Sequence, residues 1–109
     1  MLFLGLETGL GSALIVDGVV APLELAHLPY RKGRSYEEYV GKAGLARLGT
    51  RRWRHHVSKV TRLLAAALDV DEVVLGGGNA KLLPRLPAHT RRGNNSHAFT
   101  GGYRLWRQR

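Results

Sequence analysis

Short apolar runs separated by glycine-containing turns dominate the first quarter of the chain. Residues 2–6 (LFLGL) read as a short buried strand. Thr8 to Gly11 form a glycine-rich turn, and Ser12 to Val16 (SALIV) read as a second strand. Asp17-Gly18 is a two-residue hairpin signal, because the favoured tight turns need residues that tolerate positive φ. Val19 to Leu25 (VVAPLEL) predicts a third strand. Pro22 places it at an edge or a bulge, since proline has no N–H to give to a ladder. The pattern therefore predicts a small antiparallel meander.

The period then changes. Pro29 to Arg34 (PYRKGR) is a polar basic loop. Ser35 with Glu38 three residues on has the capping-box pattern of a helix start. That helix carries Tyr36, Tyr39 and Val40, is weakened by Gly41 and Gly44, and its segment ends at Gly49. Over about 51–69, Trp53, Val57, Val60, Leu64, Ala67 and Leu68 recur every three or four residues, which predicts an amphipathic helix. Arg52, His55, Lys59 and Arg62 fall largely on its other face. Asp71 to Leu75 (DEVVL) is a short strand broken by Gly76-Gly77-Gly78, and Asn79 can cap a short helix through about Leu83. Pro84 and Pro87 bound a loop, Arg91 to Asn95 is polar, and Ser96 starts a last helix through Phe99 and Tyr103 to Trp106. The fold class is α/β: three antiparallel strands, then helices, one further strand and more helices. This order resembles half of a familiar two-lobed arrangement, the actin/hexokinase type, in which a ribonuclease-H-like sheet carries helices on its faces.

Composition narrows the classes. With 109 residues the chain suits one domain or part of one. No apolar run approaches the roughly 20 residues of a membrane helix, and Met1-Leu-Phe-Leu is too short for a signal peptide. The absence of cysteine excludes disulfides and thiolate metal sites and makes the cytoplasm the default location. The formal charge of +9 favours anionic partners: phosphate, polyphosphate, nucleic acid or an acidic surface. Charge does not choose among these, and a solvated basic surface fits it equally. His55 and His56 are adjacent and diverge, and His89 and His97 have no partners at metal-ligand spacing, so no metal site is expected.

Four segments occur in order: GLETGLGSALIVDG (5–18), ELAH (24–27), VVLGGGNAK (73–81) and RRGNNSHAFTGGYRLW (91–106). Together they resemble the C-terminal half of a ROK-family sugar kinase, and are most similar to the polyphosphate glucokinase branch. The resemblance implies two lobes around a cleft and phosphoryl transfer from ATP or polyphosphate to glucose. On it, residues 1–109 are the C-terminal lobe, and the first phosphate loop and the catalytic Asp belong to an N-terminal lobe that this chain lacks. No catalytic residue is therefore assigned here.

Carried over residue by residue, the resemblance makes Thr8, Gly9, Gly11 and Ser12 phosphate-binding. Converging backbone N–H groups and two hydroxyls suit an anion, although a plain glycine turn between strands fits the same residues. Glu7 stands where the family has glycine. If its carboxylate lay about 4 Å from a phosphate charge, repulsion would reach roughly 4 kcal/mol at an effective dielectric of 20. Glu24 and His27 match the sugar motif: a carboxylate accepts hydroxyl hydrogen bonds and an imidazole donates or accepts. A strand-end Glu and a His capping the sheet also fit. Ala26 replaces the motif's glycine, which would strain the backbone if that position needs positive φ. Gly76, Gly77, Gly78 and Asn79 match the nucleotide-side segment, or serve only as a tight crossover. Asn94 takes the place of an expected Asp, whereas Ser96, Phe99, Gly101 and Gly102 keep the look of the family's closing helix. Mg-ATP or polyphosphate is implied as donor and a hexose such as glucose as acceptor. Any Mg²⁺ would arrive with nucleotide.

Two readings follow. In the first the chain is a truncated glucokinase-like lobe, inactive or very weak alone, that pairs with its missing half or with itself. In the second it is a small basic module for nucleic acid or polyphosphate. That one rests on the charge and on Trp53 and Trp106 among arginines, but lacks any nucleic-acid motif.

Overall fold

A computed structural model of the protein describes residues 1–93. Asn94 and the expected closing helix from Ser96 to Trp106 lie outside the described residues. The meander forms as expected: β1 (Leu2–Leu6), β2 (Leu10–Val16) and β3 (Val19–Pro22) pair antiparallel in sequence. Asp17 and Gly18 take φ of 51° and 78°, the left-handed pair that a two-residue hairpin requires. β3 stops at Pro22, short of the expected Leu25. Leu23 is still tied to Ser12, whose carbonyl accepts its N–H at 3.0 Å, and the chain then turns, with Leu28 N–H donating to Leu25 O.

The loop expected at Pro29–Arg34 is instead a second hairpin, β4 (Pro29–Arg31) and β5 (Arg34–Ser35). Lys32 and Gly33 turn it with φ of 50° and 74°. Lys-Gly is a weaker turn signal than Asp-Gly, because lysine has no short polar side chain to support the left-handed position. The hairpin is held by aromatic packing. Tyr30 stacks on Tyr36 at 5.1 Å between centroids and meets Tyr39 edge-on at 4.9 Å. Its hydroxyl shares a 2.8 Å hydrogen bond with His56 Nδ1.

Helix α1 (Tyr36–Val40) starts with the predicted capping box: Glu38 N–H donates to the Ser35 hydroxyl and Ser35 N–H to the Glu38 carboxylate. Helix α2 (Lys42–Leu68) begins seven residues before the expected break at Gly49 and passes through it with a kink at φ 82°, ψ 161°. Gly44 does more than weaken the helix. A Cβ there would overlap the Tyr39 carbonyl, so glycine lets α2 start hard against the end of α1. Of the predicted apolar stripe, Trp53, Val57, Val60 and Leu64 are buried, Leu68 half-buried and Ala67 exposed.

From α2 the chain returns as β6 (Val73–Gly76), parallel to β1, followed by a 3-10 helix (Gly78–Leu82) and β7 (Thr90–Arg92). The sheet order is β3-β2-β1-β6-β7. β7 lies in a stretch read as polar loop. Three polar residues on a sheet edge carry no alternation, so only pairing with β6 reveals it as a strand. The 3-10 helix has Gly77 at its N-cap position with no side-chain cap, so Asn79 is not the cap predicted.

Period-two alternation sorts the sheet. Leu2, Leu4, Leu6, Val73 and Leu75 pack with Trp53, Val57, Val60 and Leu64 of α2. Phe3, Ala13, Val20 and Val74 form a separate cluster. Trp53 is fully buried and its indole N–H donates to Val40 O at 2.9 Å, which fixes α2 to the end of α1.

Candidate functional site

The carboxyl ends of β1 and β6 are neighbours, since the strands run parallel with Gly5 opposite Gly76. Two of the glycine-rich segments singled out in the sequence therefore meet: the Glu7–Gly9 turn after β1 and the Gly76–Gly78 crossover after β6. Contact is close. Gly77 sits at φ 89°, and a Cβ there would lie 2.7 Å from Leu6 N and 2.8 Å from Glu7 Cγ. Glu7 is exposed and its stem leans over Gly77.

The turn itself is braced from α1. Leu10 N–H donates to Glu37 Oε1 at 2.8 Å, and the same carboxylate occupies the space that a side chain at Gly9 would need. Lys42 N–H donates to Thr8 O at 3.0 Å, tying the start of α2 to the turn. Glu7 N–H donates to Gly9 O at 3.2 Å. The Thr8 hydroxyl and the Thr8 and Gly9 N–H groups have no partner among the described residues. Ser12 points elsewhere: it is 2 % exposed and its hydroxyl donates to Leu23 O at 3.0 Å. Gly11 lies inside β2, opposite Gly5.

Glu24 and His27 lie in the connection between β3 and β4. Both are exposed, and neither side chain has a hydrogen bond or ion pair among the described residues. Their backbone is nonetheless fixed. Glu37 N–H donates to Ala26 O at 3.0 Å and Tyr36 N–H to Leu28 O at 3.1 Å, which gives partners to the free N–H groups of the first turn of α1. Ala26 is not among the residues with positive φ, and its methyl is buried in the main core. The strain considered for this substitution is therefore not present.

Glu37 thus reaches both segments, through its N–H to Ala26 O of the Glu24–His27 segment and through its carboxylate to the N–H of Leu10, the residue after the Thr8–Gly9 turn. Sequence reasoning passed over it. The pattern pointed to Glu38 as the capping acid, and only the tertiary contact with Leu10 distinguishes its neighbour. No group of three His, Cys, Asp or Glu among the described residues could hold a metal ion. No helix among them is long and apolar enough to cross a membrane.

Comparison with solved structures gives strong likenesses over nearly the whole chain. An inorganic polyphosphate/ATP-glucomannokinase from Arthrobacter sp. strain KM matches with a TM-score of 0.67 at 24% identity, covering 99% of this chain and 47% of that one. The ROK hexokinase from Thermus thermophilus matches with a TM-score of 0.69 at 20% identity, covering 92% and 53%. The chain has the fold of a ROK-type sugar-kinase lobe. A third likeness, to a proposed sugar kinase from Cytophaga hutchinsonii, has a TM-score of 0.62 at 16% identity and covers 97% and 57%. The chain spans about half the length of the structures it matches. No protein-family model matches the sequence, and no curated protein matches it.

Proposed function

We propose that this chain forms one wall of a hexose kinase cleft, with Glu24 and His27 directed to sugar hydroxyls and the Thr8–Gly9 turn to the phosphate donor. The observation that carries the reading is the convergence of the Thr8–Gly9 turn, the Gly76–Gly78 crossover and Glu37 at one end of the sheet. Thr8 offers a hydroxyl and an N–H, and Gly9 an N–H, to an anionic oxygen. Glycine at 77 lets the crossover approach the turn without a side chain between them. Gly76, Gly78 and Asn79 line the nucleotide side of the same wall in this reading. Ser12 and Gly11 act indirectly, by holding β2 and the Leu23 connection in place.

Phosphoryl transfer depends on alignment and charge stabilisation, with a base to take the proton of the attacking hydroxyl. In this reading the hexose hydroxyl oxygen bonds to the terminal phosphorus of ATP or polyphosphate as the bridging P–O bond breaks. Glu24 accepts hydrogen bonds from hydroxyls and fixes the ring. The base and the opposite wall come from outside residues 1–93, from another polypeptide or another lobe. We therefore infer that the chain alone binds hexose but turns it over negligibly.

Thermal denaturation with and without glucose tests the binding. A ligand specific for the native state at 100 times its Kd adds about 2.7 kcal/mol, a rise in midpoint of roughly 10 °C for a domain of this size. Glu24→Ala is expected to remove the shift. No shift at tens of millimolar glucose sinks the sugar-site reading. Steady glucose phosphorylation above the Glu24→Ala control, with ATP or polyphosphate, overturns the inference of inactivity.

A further inference from the structure

The 3-10 helix Gly78–Leu82 is too short to hold itself, and no side chain caps its start. Ala80 and Leu83 are buried in the main core, which sets the depth at which it sits. Apolar contact is not directional, so packing does not fix its orientation. Hydrogen bonds do, and they come from two arginines on two other elements. Arg54 of α2 donates from Nε to Leu82 O at 2.7 Å. Arg92 of β7 donates from Nε to Ala80 O at 3.3 Å and from Nη2 to Leu83 O. These carbonyls lie at the carboxyl end of the short helix, where a helix leaves such groups without internal partners. Charged donors strengthen each bond, and positive charge suits that end of a helix.

We propose that Arg54 and Arg92 are positioning residues, a two-arginine clasp that sets where the Gly76–Gly78 crossover stands in the cleft wall. The crossover runs from Gly76, the last residue of β6, to Gly78, the first residue of the clasped helix. Only Gly77 lies between them, so a shift of the helix passes directly into the crossover. Among the described residues neither guanidinium bonds to the Thr8–Gly9 turn or to the Glu24–His27 segment. The clasp therefore acts on the wall through the crossover. Arg92 is the more specific member, because it holds two carbonyls with two nitrogens set apart in a rigid fork. Lysine keeps the charge but brings a single nitrogen. The functional consequence rests on the reading of the crossover as the nucleotide side.

The test is amide hydrogen exchange followed by NMR on the whole chain, paired with titration of MgADP. Ala80 N–H donates to Gly77 O and Leu83 N–H to Ala80 O, both at 3.2 Å, so these two amides report opening of the short helix. Leu10 N–H, bonded to Glu37, reports the other part of the wall. In Arg92→Gln the Ala80 and Leu83 amides are expected to exchange at least tenfold faster with Leu10 unchanged, and Arg92→Lys is expected to retain most of that increase. Arg54→Gln gives a smaller increase in the same two amides. Arg85→Gln removes the same charge from the neighbouring loop and is expected to leave all three amides unchanged. MgADP affinity is expected to fall at least fivefold in Arg92→Lys while the glucose-induced midpoint shift persists, a split that a general loss of stability does not give. Equal acceleration at Ala80, Leu83 and Leu10 overturns the clasp, as does unchanged exchange in Arg92→Gln or full rescue by Arg92→Lys. A measurable MgADP affinity that is the same in the wild type and Arg92→Lys overturns its positioning role while the nucleotide-side reading stands. If the wild type binds no MgADP, that reading fails instead, and the exchange rates decide whether the two arginines hold the crossover.

Discussion

Gly9→Ala probes the contact on which the candidate cleft wall is built. Gly9 does not have positive φ, so alanine meets no backbone strain there. The new methyl would instead overlap Glu37 Oε1, the atom that accepts the Leu10 N–H at 2.8 Å. A glutamate carboxylate is the far end of a flexible side chain and swings away at little steric cost. What is lost is the hydrogen bond. Leu10 is buried, 6 % exposed, so its N–H is left without a partner. A charge-assisted bond contributes about 1.5–3 kcal/mol, and an unsatisfied buried donor costs a similar amount. Gly9→Ala should therefore destabilise by about 2 kcal/mol, and Glu37→Ala by about the same.

The decisive comparison is the double variant. Once Glu37 is alanine, the methyl at position 9 has room and removes freedom from the unfolded chain, a gain of about 0.4–1 kcal/mol. The same substitution should thus destabilise the wild type and mildly stabilise Glu37→Ala, a coupling of about 2–3 kcal/mol. Urea unfolding followed by far-ultraviolet circular dichroism gives all four corners of the cycle. Additive losses, with Gly9→Ala costing the same in both backgrounds, would refute the carboxylate brace.

Four further outcomes are expected. Gly77→Ala meets backbone, Leu6 N at 2.7 Å, from a φ of 89°, so neither partner can yield, and it should cost more than about 3 kcal/mol in the same unfolding assay. Ser35→Ala removes the hydroxyl that accepts the Glu38 N–H, one of the two bonds of the capping box, and should cost about 1 kcal/mol. The Ser35 N–H is also the first cause holding the Glu38 carboxyl below its usual value, so the stability that Glu38 contributes is present above the ordinary glutamate range and lost as pH falls through its depressed value. The urea midpoint of Glu38→Gln should depend less on pH there, because the amide does not titrate. His56 is held below the ordinary imidazole value chiefly by burial, so the unfolded chain takes the proton first: stability should fall as pH drops from above about 6.5 toward the depressed value. Midpoints at successive pH values should show a flatter slope through that window for His56→Gln.

The candidate site was legible in parts. The Thr8–Gly9 turn and the Gly76–Gly78 crossover were visible as local glycine patterns, because turns have local requirements, whereas the Glu24–His27 pair was singled out only through the family resemblance. Glu37 was not, because in the sequence it is one acid of a helix first turn beside another. Its role comes from a hydrogen bond to Leu10, 27 residues away. The purpose of Ser12 was likewise hidden: a serine opening a strand reads as a free hydroxyl until Leu23 is brought beside it.

What the sequence determined alone is whatever rests on short-range geometry. The Asp17-Gly18 hairpin, the Ser35–Glu38 capping box and the apolar stripe from Trp53 to Leu64 follow from φ preferences, caps and the 3.6-residue period. Tertiary structure decided the rest. It alone placed β6 parallel to β1, recruited the polar β7, made a hairpin of PYRKGR through the Tyr30, Tyr36 and Tyr39 rings, and carried α2 through Gly49. Each of these depends on a surface contributed by residues far away in the chain, and the energy of such a contact is absent from any local window of sequence.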